Sequence, residues 1–196
     1  MVVAFPACLR ASCGSPANAI EAENCLPGTP QTTWDISTGD AGDPSIQGFA
    51  DQISVKPGDT INFKINTNAA AYTIDIYRMG YYQGNGARLI TSITPSASLP
   101  QAQPACYRDN TTKLVDCGNW AVSASWAVPN TAVSGIYFAR LTRTDTGGTS
   151  HIVWVVRNDS SNSDVLFQTS DETWQAYNDW FCTAGHKPDI LDRAHA

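Results

Sequence analysis

The chain has 196 residues, 42% hydrophobic and 15% charged, with 12 Lys and Arg against 18 Asp and Glu for a net charge of -6. These proportions exclude a disordered chain, and the length leaves room for one β domain of about 100–130 residues plus flanks. The acidic balance without any basic run argues against nucleic acid, whose phosphates need clustered Lys and Arg, and no stretch approaches the ~20 apolar residues of a transmembrane helix.

Residues 1–30 carry Pro6, Pro16, Pro27 and Pro30 with Gly14 and Gly28 and show no helix or strand period, so they read as a leader and linker. The opening MVVAFPACLR is too short for a secretory h-region and lacks a basic n-region. Arg10 ahead of Ala11-Ser12-Cys13 also rules out a lipobox. If the protein is exported, the sequence begins inside or after its signal. Asp35, Asp40 and Asp43 miss the register of a calcium loop, and ordinary side-chain-capped turns explain them better.

A β-sandwich is expected over 31–158. Ile46 to Val55 is its first strand region, ended by Lys56-Pro57-Gly58-Asp59, a type II turn signature. Thr60 to Thr67 alternates, with Ile61, Phe63 and Ile65 on one face; Tyr72 to Met79 does the same with Tyr72, Ile74 and Ile76. The glycines of Gly80-Tyr81-Tyr82-Gln83-Gly84-Asn85-Gly86 open another strand, Ala87 to Thr94, and not a helix, so a hairpin is expected and not a phosphate cradle. Tyr81 and Tyr82 then form an exposed aromatic lip or a core cover.

Six cysteines occur without a CxxC, which removes zinc-finger and thioredoxin readings. Cys106 and Cys117 bracket a polar segment between strands and suit a disulfide closing a hairpin loop, worth about 3 kcal/mol; the alternative is two buried free thiols. For Cys8, Cys13, Cys25 and Cys182 the pattern offers no partner. In Trp120 to Val128 a period of two puts Trp120, Val122, Ala124 and Trp126 on one face, as core.

Ile136 to Thr144 and Thr149 to Val156 flank Asp145-Thr146-Gly147-Gly148 and predict the central hairpin. Its second run, Ile152 to Val156, is apolar on both faces and should be covered on both sides. Tyr137 lies where immunoglobulin-like sandwiches carry a tyrosine corner. After the linker-like Asn158 to Ser163, Asp164 to Thr169 reads as a fresh buried strand, followed by a capping box through Asp171 and Glu172. That reads as the start of a second domain, cut short by residue 196.

No G-x-S-x-G elbow or H-E-x-x-H helix occurs. Cys182 and His186 lack the further ligands zinc needs, and Asp171 and Glu172 fit a helix cap better than a shared proton. The residues themselves assign no catalytic, cofactor-binding or metal-ligating side chain.

Four segments carry a resemblance: WDISTGDAGDPSIQGFADQISVKPGDTINFKINT, YTIDIYRMGYYQGNGARLI, WAVSASWAVPNTAVSGIYFARL and DVLFQTSDETWQAYNDW. Over about residues 20–180 the chain resembles the N-terminal part of proteins similar to the large (beta) subunit of N,N-dimethylformamidase. The most specific pieces are Tyr77 to Tyr82 with Gly84, Gly86, Ala87 and Arg88, and Thr173 to Trp180. The resemblance implies an immunoglobulin-like sandwich followed by an α/β amidase-like domain, in a secreted or envelope bacterial protein. It also implies iron in the characterised amidase, held by tyrosine and glutamate ligands of the later domain, to which no residue here is matched. FCTAGHKPDILDRAHA reads as a truncation or a shifted frame. The expected function is a non-catalytic accessory sandwich without cofactor, partnered by the amidase-like domain. The rival is a carbohydrate-binding or adhesive module presenting Tyr81, Tyr82 and Tyr107.

Overall fold

The computed structural model describes residues 13–36, 42–109, 111–112, 114–171 and 173. Its strands are β1 (Ile46–Ala50), β2 (Ser54–Val55), β3 (Thr60–Thr67), β4 (Tyr72–Met79), β5 (Ala87–Ile93), β6 (Tyr107–Arg108), β7 (Val115–Asp116), β8 (Ala124–Ala127), β9 (Gly135–Arg143) and β10 (Thr149–Val156). They form a five-stranded sheet in the order β2-β10-β9-β4-β5, a three-stranded sheet β1-β3-β8, and a small β6-β7 ribbon. All pairings are antiparallel except β2 with β10. The result is an all-β sandwich.

The alternation read from β3 and β4 sets the core. Ile61, Phe63 and Ile65 from one sheet meet Ile74, Ile76, Ala139, Leu141, Ile152 and Val156 from the other, all without solvent exposure. Trp154 is the centre of this layer. Its ring lies 5.1 Å from Phe63, 5.9 Å from Trp126 and 6.2 Å from Tyr137, tying both sheets through one side chain. The β9–β10 hairpin runs in register from Thr142 opposite Thr149 to Gly135 opposite Val156. At the type II turn, Gly58 takes φ +90° and Asp59 N–H donates to the Lys56 carbonyl at 3.1 Å.

Four expectations change. The run Ile46 to Val55 is two strands in different sheets, because Asp51 leaves β1 to accept from the Asn62 amide and side chain before Ile53 joins β10. In the Trp120 segment only Ala124–Ala127 is strand, Val122 is exposed, and Ser123 turns inward to bridge the backbone of Ile65. Val165, Leu166 and Phe167 form no strand and are 82%, 90% and 75% exposed. Cys13 and Cys25, without an assigned partner in the pattern, are bonded to each other.

That disulfide belongs to a strap, residues 13–36, which crosses the outer face of the five-stranded sheet. Asn18 caps the helix α1 (Ala19–Asn24) by accepting from the Glu21 amide, and α2 (Gln31–Trp34) is one turn long. Between them Thr29 N–H donates to the Ala87 carbonyl at 2.8 Å. Trp34 then covers Tyr77, Ala87, Phe138 and Val153. This is why β10 is apolar on both faces: the inner face meets the second sheet and the outer one meets the strap.

Trp154→Ala should lower stability by about 3–5 kcal/mol, read as a lower urea midpoint. A loss below about 1 kcal/mol would contradict the place given to this ring.

Candidate functional site

The motif that carries the family likeness builds the most concentrated polar cluster among the described residues. Gly80 to Gly86 joins β4 to β5, with a 3-10 turn at Tyr82–Gly84. Tyr82 and Gln83 both take positive φ, 39° and 59°, a conformation that non-glycine residues hold only under surrounding constraint. Across this turn the two adjacent tyrosines part company. Tyr81 is 69% exposed, whereas Tyr82 points inward and is fully buried.

Arg78 near the end of β4 and Arg88 near the start of β5 are cross-strand partners, and each guanidinium lies 5.9 Å from the Tyr82 ring centroid. Arg78 donates to the Tyr82 hydroxyl at 2.9 Å and to the carbonyls of Val133, Ser134 and Met79. The hydroxyl in turn donates to Oε1 of Glu23 at 2.8 Å. Arg88 reaches the same oxygen with Nε at 2.8 Å and Nη2 at 2.5 Å. One carboxylate oxygen of a buried α1 residue thus takes three hydrogen bonds, two of them from a guanidinium. Burial pushes the Tyr82 phenol above its ordinary range, so it stays a neutral donor.

Gly28 and Gly86 make the close approach possible. A Cβ at Gly28 would stand 2.8 Å from the Tyr82 Cβ, and one at Gly86, where φ is +81°, would stand 2.9 Å from the Trp34 ring. Nearby, Tyr137 donates to the Val133 carbonyl four residues back at 2.8 Å, the bond a tyrosine corner makes.

The donor set fits an anion. Tyr82 and Glu23 are of the residue types that the resemblance implies for iron, but here they do not fit a metal. A cation beside them would face both guanidiniums, and the oxygen it needs already accepts three hydrogen bonds. Among the described residues no group of three or more His, Cys, Asp or Glu is gathered for a metal.

The other candidates are dispersed. Cys106 and Cys117 are disulfide-bonded and close the loop that carries β6 and β7. Tyr107 on β6 is 63% exposed. Tyr82 is corrected: buried under the strap, it cannot join Tyr81 and Tyr107 in a surface platform. Asp43 accepts from the amide and hydroxyl of Ser45, and Asp35 from the Ile36 amide and the Gln31 side chain, as turn and cap residues do. Asp171 accepts from the Thr169 hydroxyl. Asp40, Cys8, Glu172, Trp174 to Trp180, Cys182 and His186 lie outside the described residues.

His151 falls in the Thr149 to Val156 run, where the sequence marks it only as a strand residue. It lies in β10 beneath the strap, 4.7 Å from the Phe138 ring, with Nε2 2.8 Å from the Trp34 carbonyl. A carbonyl oxygen only accepts, so Nε2 carries the proton. Burial, reinforced by Arg140, pulls the imidazole down to about 4, against the carbonyl and Asp35.

A family model described as N,N-dimethylformamidase beta subunit-like, C-terminal, matches residues 73–192. No curated protein matches the chain. The match starts in β4 and takes in Arg78, Tyr82 and Arg88, whereas Glu23 and the whole strap precede it. The match bears out the resemblance; its description is of a C-terminal part, and it continues past Trp180 through residues 181–192.

The depressed His151 sets a pH dependence. Above pH 6.5 the ring is neutral in both folded and unfolded chains; below it the unfolded chain binds the proton first, so stability falls between pH 6.5 and about 4. The full loss is up to about 3 kcal/mol. Denaturation across that window should show it, and His151→Gln, which keeps a donor for the Trp34 carbonyl, should flatten the profile. An unchanged profile would contradict the assignment.

Proposed function

The chain belongs to the N,N-dimethylformamidase beta subunit-like family, and on that premise we propose that it is a non-catalytic accessory sandwich of an amide-hydrolase protein, serving to position an α/β amidase-like domain. The observation that carries this reading is where the polar groups go. The acid, the phenol and the two guanidiniums that converge are all spent on one another, holding the strap to the sheet. Amide hydrolysis needs an activated water and donors left open for a developing oxyanion. This cluster supplies neither.

The partner side of the proposal rests on Val165, Leu166 and Phe167. A contiguous exposed apolar run beyond the last strand is the kind of surface that meets another domain. The immunoglobulin-like arrangement is part of the same reading and is supported by the Tyr137 bond to Val133. Extracellular or envelope residence is supported by the two disulfides, and among the described residues no helix is long and apolar enough to cross a membrane. The proposed accessory role needs no cofactor in this chain. A carbohydrate-binding role would rest on Tyr81 and Tyr107 alone.

The test is direct. Purified chain incubated with N,N-dimethylformamide, with and without added iron, should release no dimethylamine above chain-free buffer. Release that requires the folded chain would overturn the accessory reading.

A further inference from the structure

We propose that Arg78, Tyr82 and Arg88 form a carboxylate-binding site, and that Glu23 occupies it as an intramolecular ligand delivered by the disulfide-bonded strap. The receptor and its occupant have separate origins in the chain. All three receptor residues sit on the β4–β5 hairpin or its turn, inside the family match, while Glu23 comes from α1, about sixty residues earlier and ahead of that match. The hairpin presents its donors as a preset group. Both guanidiniums lie 5.9 Å from the Tyr82 ring centroid, and Arg78 is fixed by the Val133, Ser134 and Met79 carbonyls, none of which depends on the strap.

Charge points the same way. The two arginines carry two positive charges, Glu23 supplies one negative charge, and the remaining partners of Arg78 are neutral oxygens. Without the Glu23 carboxylate the site is a partly desolvated pair of cations with a phenol hydroxyl aimed at an empty position, a combination that favours an anion. Binding Glu23 completes the charge balance, and the Cys13–Cys25 disulfide keeps the acid close by constraining the segment that bears it. The Gly28 and Gly86 contacts show that the hairpin is shaped to receive this strap. A site so built takes a small carboxylate when its own acid is withdrawn.

Glu23→Ala removes a methylene and a carboxylate, the groups that acetate supplies. The melting temperature of the full-length Glu23→Ala chain should rise by several degrees, saturably, in sodium acetate, beyond any rise in sodium chloride of equal ionic strength. The native chain should show only the chloride effect, and so should Glu23→Gln, whose amide fills the space. Adding Arg88→Ala to Glu23→Ala should abolish the acetate response. If Glu23→Ala does not fold in acetate-free buffer, the yield of folded chain on dilution from urea is compared in acetate and chloride in the same way. Equal effects of the two salts on Glu23→Ala, an equal acetate effect on the native chain, or an undiminished response in the double variant would each overturn the proposal.

Discussion

The outer face of the five-stranded sheet cannot be left in water. Tyr77, Phe138 and Val153 put two aromatic rings and a β-branched side chain there, with Tyr77 and Phe138 stacked 5.2 Å apart. The second sheet covers only the inner face, so some other part of the chain must cover this one. The strap does so with Trp34, whose ring lies 5.8 Å from Phe138 and whose indole N–H donates to the carbonyls of Thr29 and Asn85. Much else in the structure follows from holding this strap of short helices and loops against a sheet.

Two helices of six and four residues have little intrinsic stability, and a strap of this kind frays unless it is tied at both ends. Here the ties are unlike each other. At one end Cys13 is bonded to Cys25, and Glu23 enters the arginine–tyrosine cluster. At the other, His151 donates to the Trp34 carbonyl. A buried ion pair adds less net stability than its Coulomb attraction suggests, because both charges must be desolvated, but losing one partner is costly. The cluster therefore works as a selector of position: α1 docks with Glu23 against Tyr82 and Arg88, or leaves Arg88 without its carboxylate.

The sandwich itself was legible because each inner strand repeats a local rule. In β3 the alternation of Ile61, Phe63 and Ile65 with Asn62, Lys64 and Asn66 states which face is buried, and in the β9–β10 hairpin the loop glycines state where the chain reverses. The strap was not legible for the opposite reason. Its prolines and glycines suppress any period, and its contacts join residues more than fifty positions apart, such as Glu23 with Arg88 and Trp34 with His151. The family motif singled out Tyr82 and Arg88, but sequence alone left Tyr82 either a surface ring or a core cover; two left-handed residues in succession turn it inward, and no local pattern announces that. Val165 to Phe167 read as a buried strand because it is apolar and β-prone, yet among the described residues nothing covers it.

Residues 13 to about 158 pack as one unit, strap included, and Val165 to Phe167 beyond β10 stay exposed. Limited proteolysis of the purified chain, with mass spectrometry of the surviving core, tests this most directly because packed segments resist cleavage and exposed ones do not. The prediction is a resistant fragment that retains Cys13 through Trp34 and ends between Asn158 and Gln168. A core that begins after the strap, near residue 42, would contradict it, and so would equal resistance of the whole chain to residue 196.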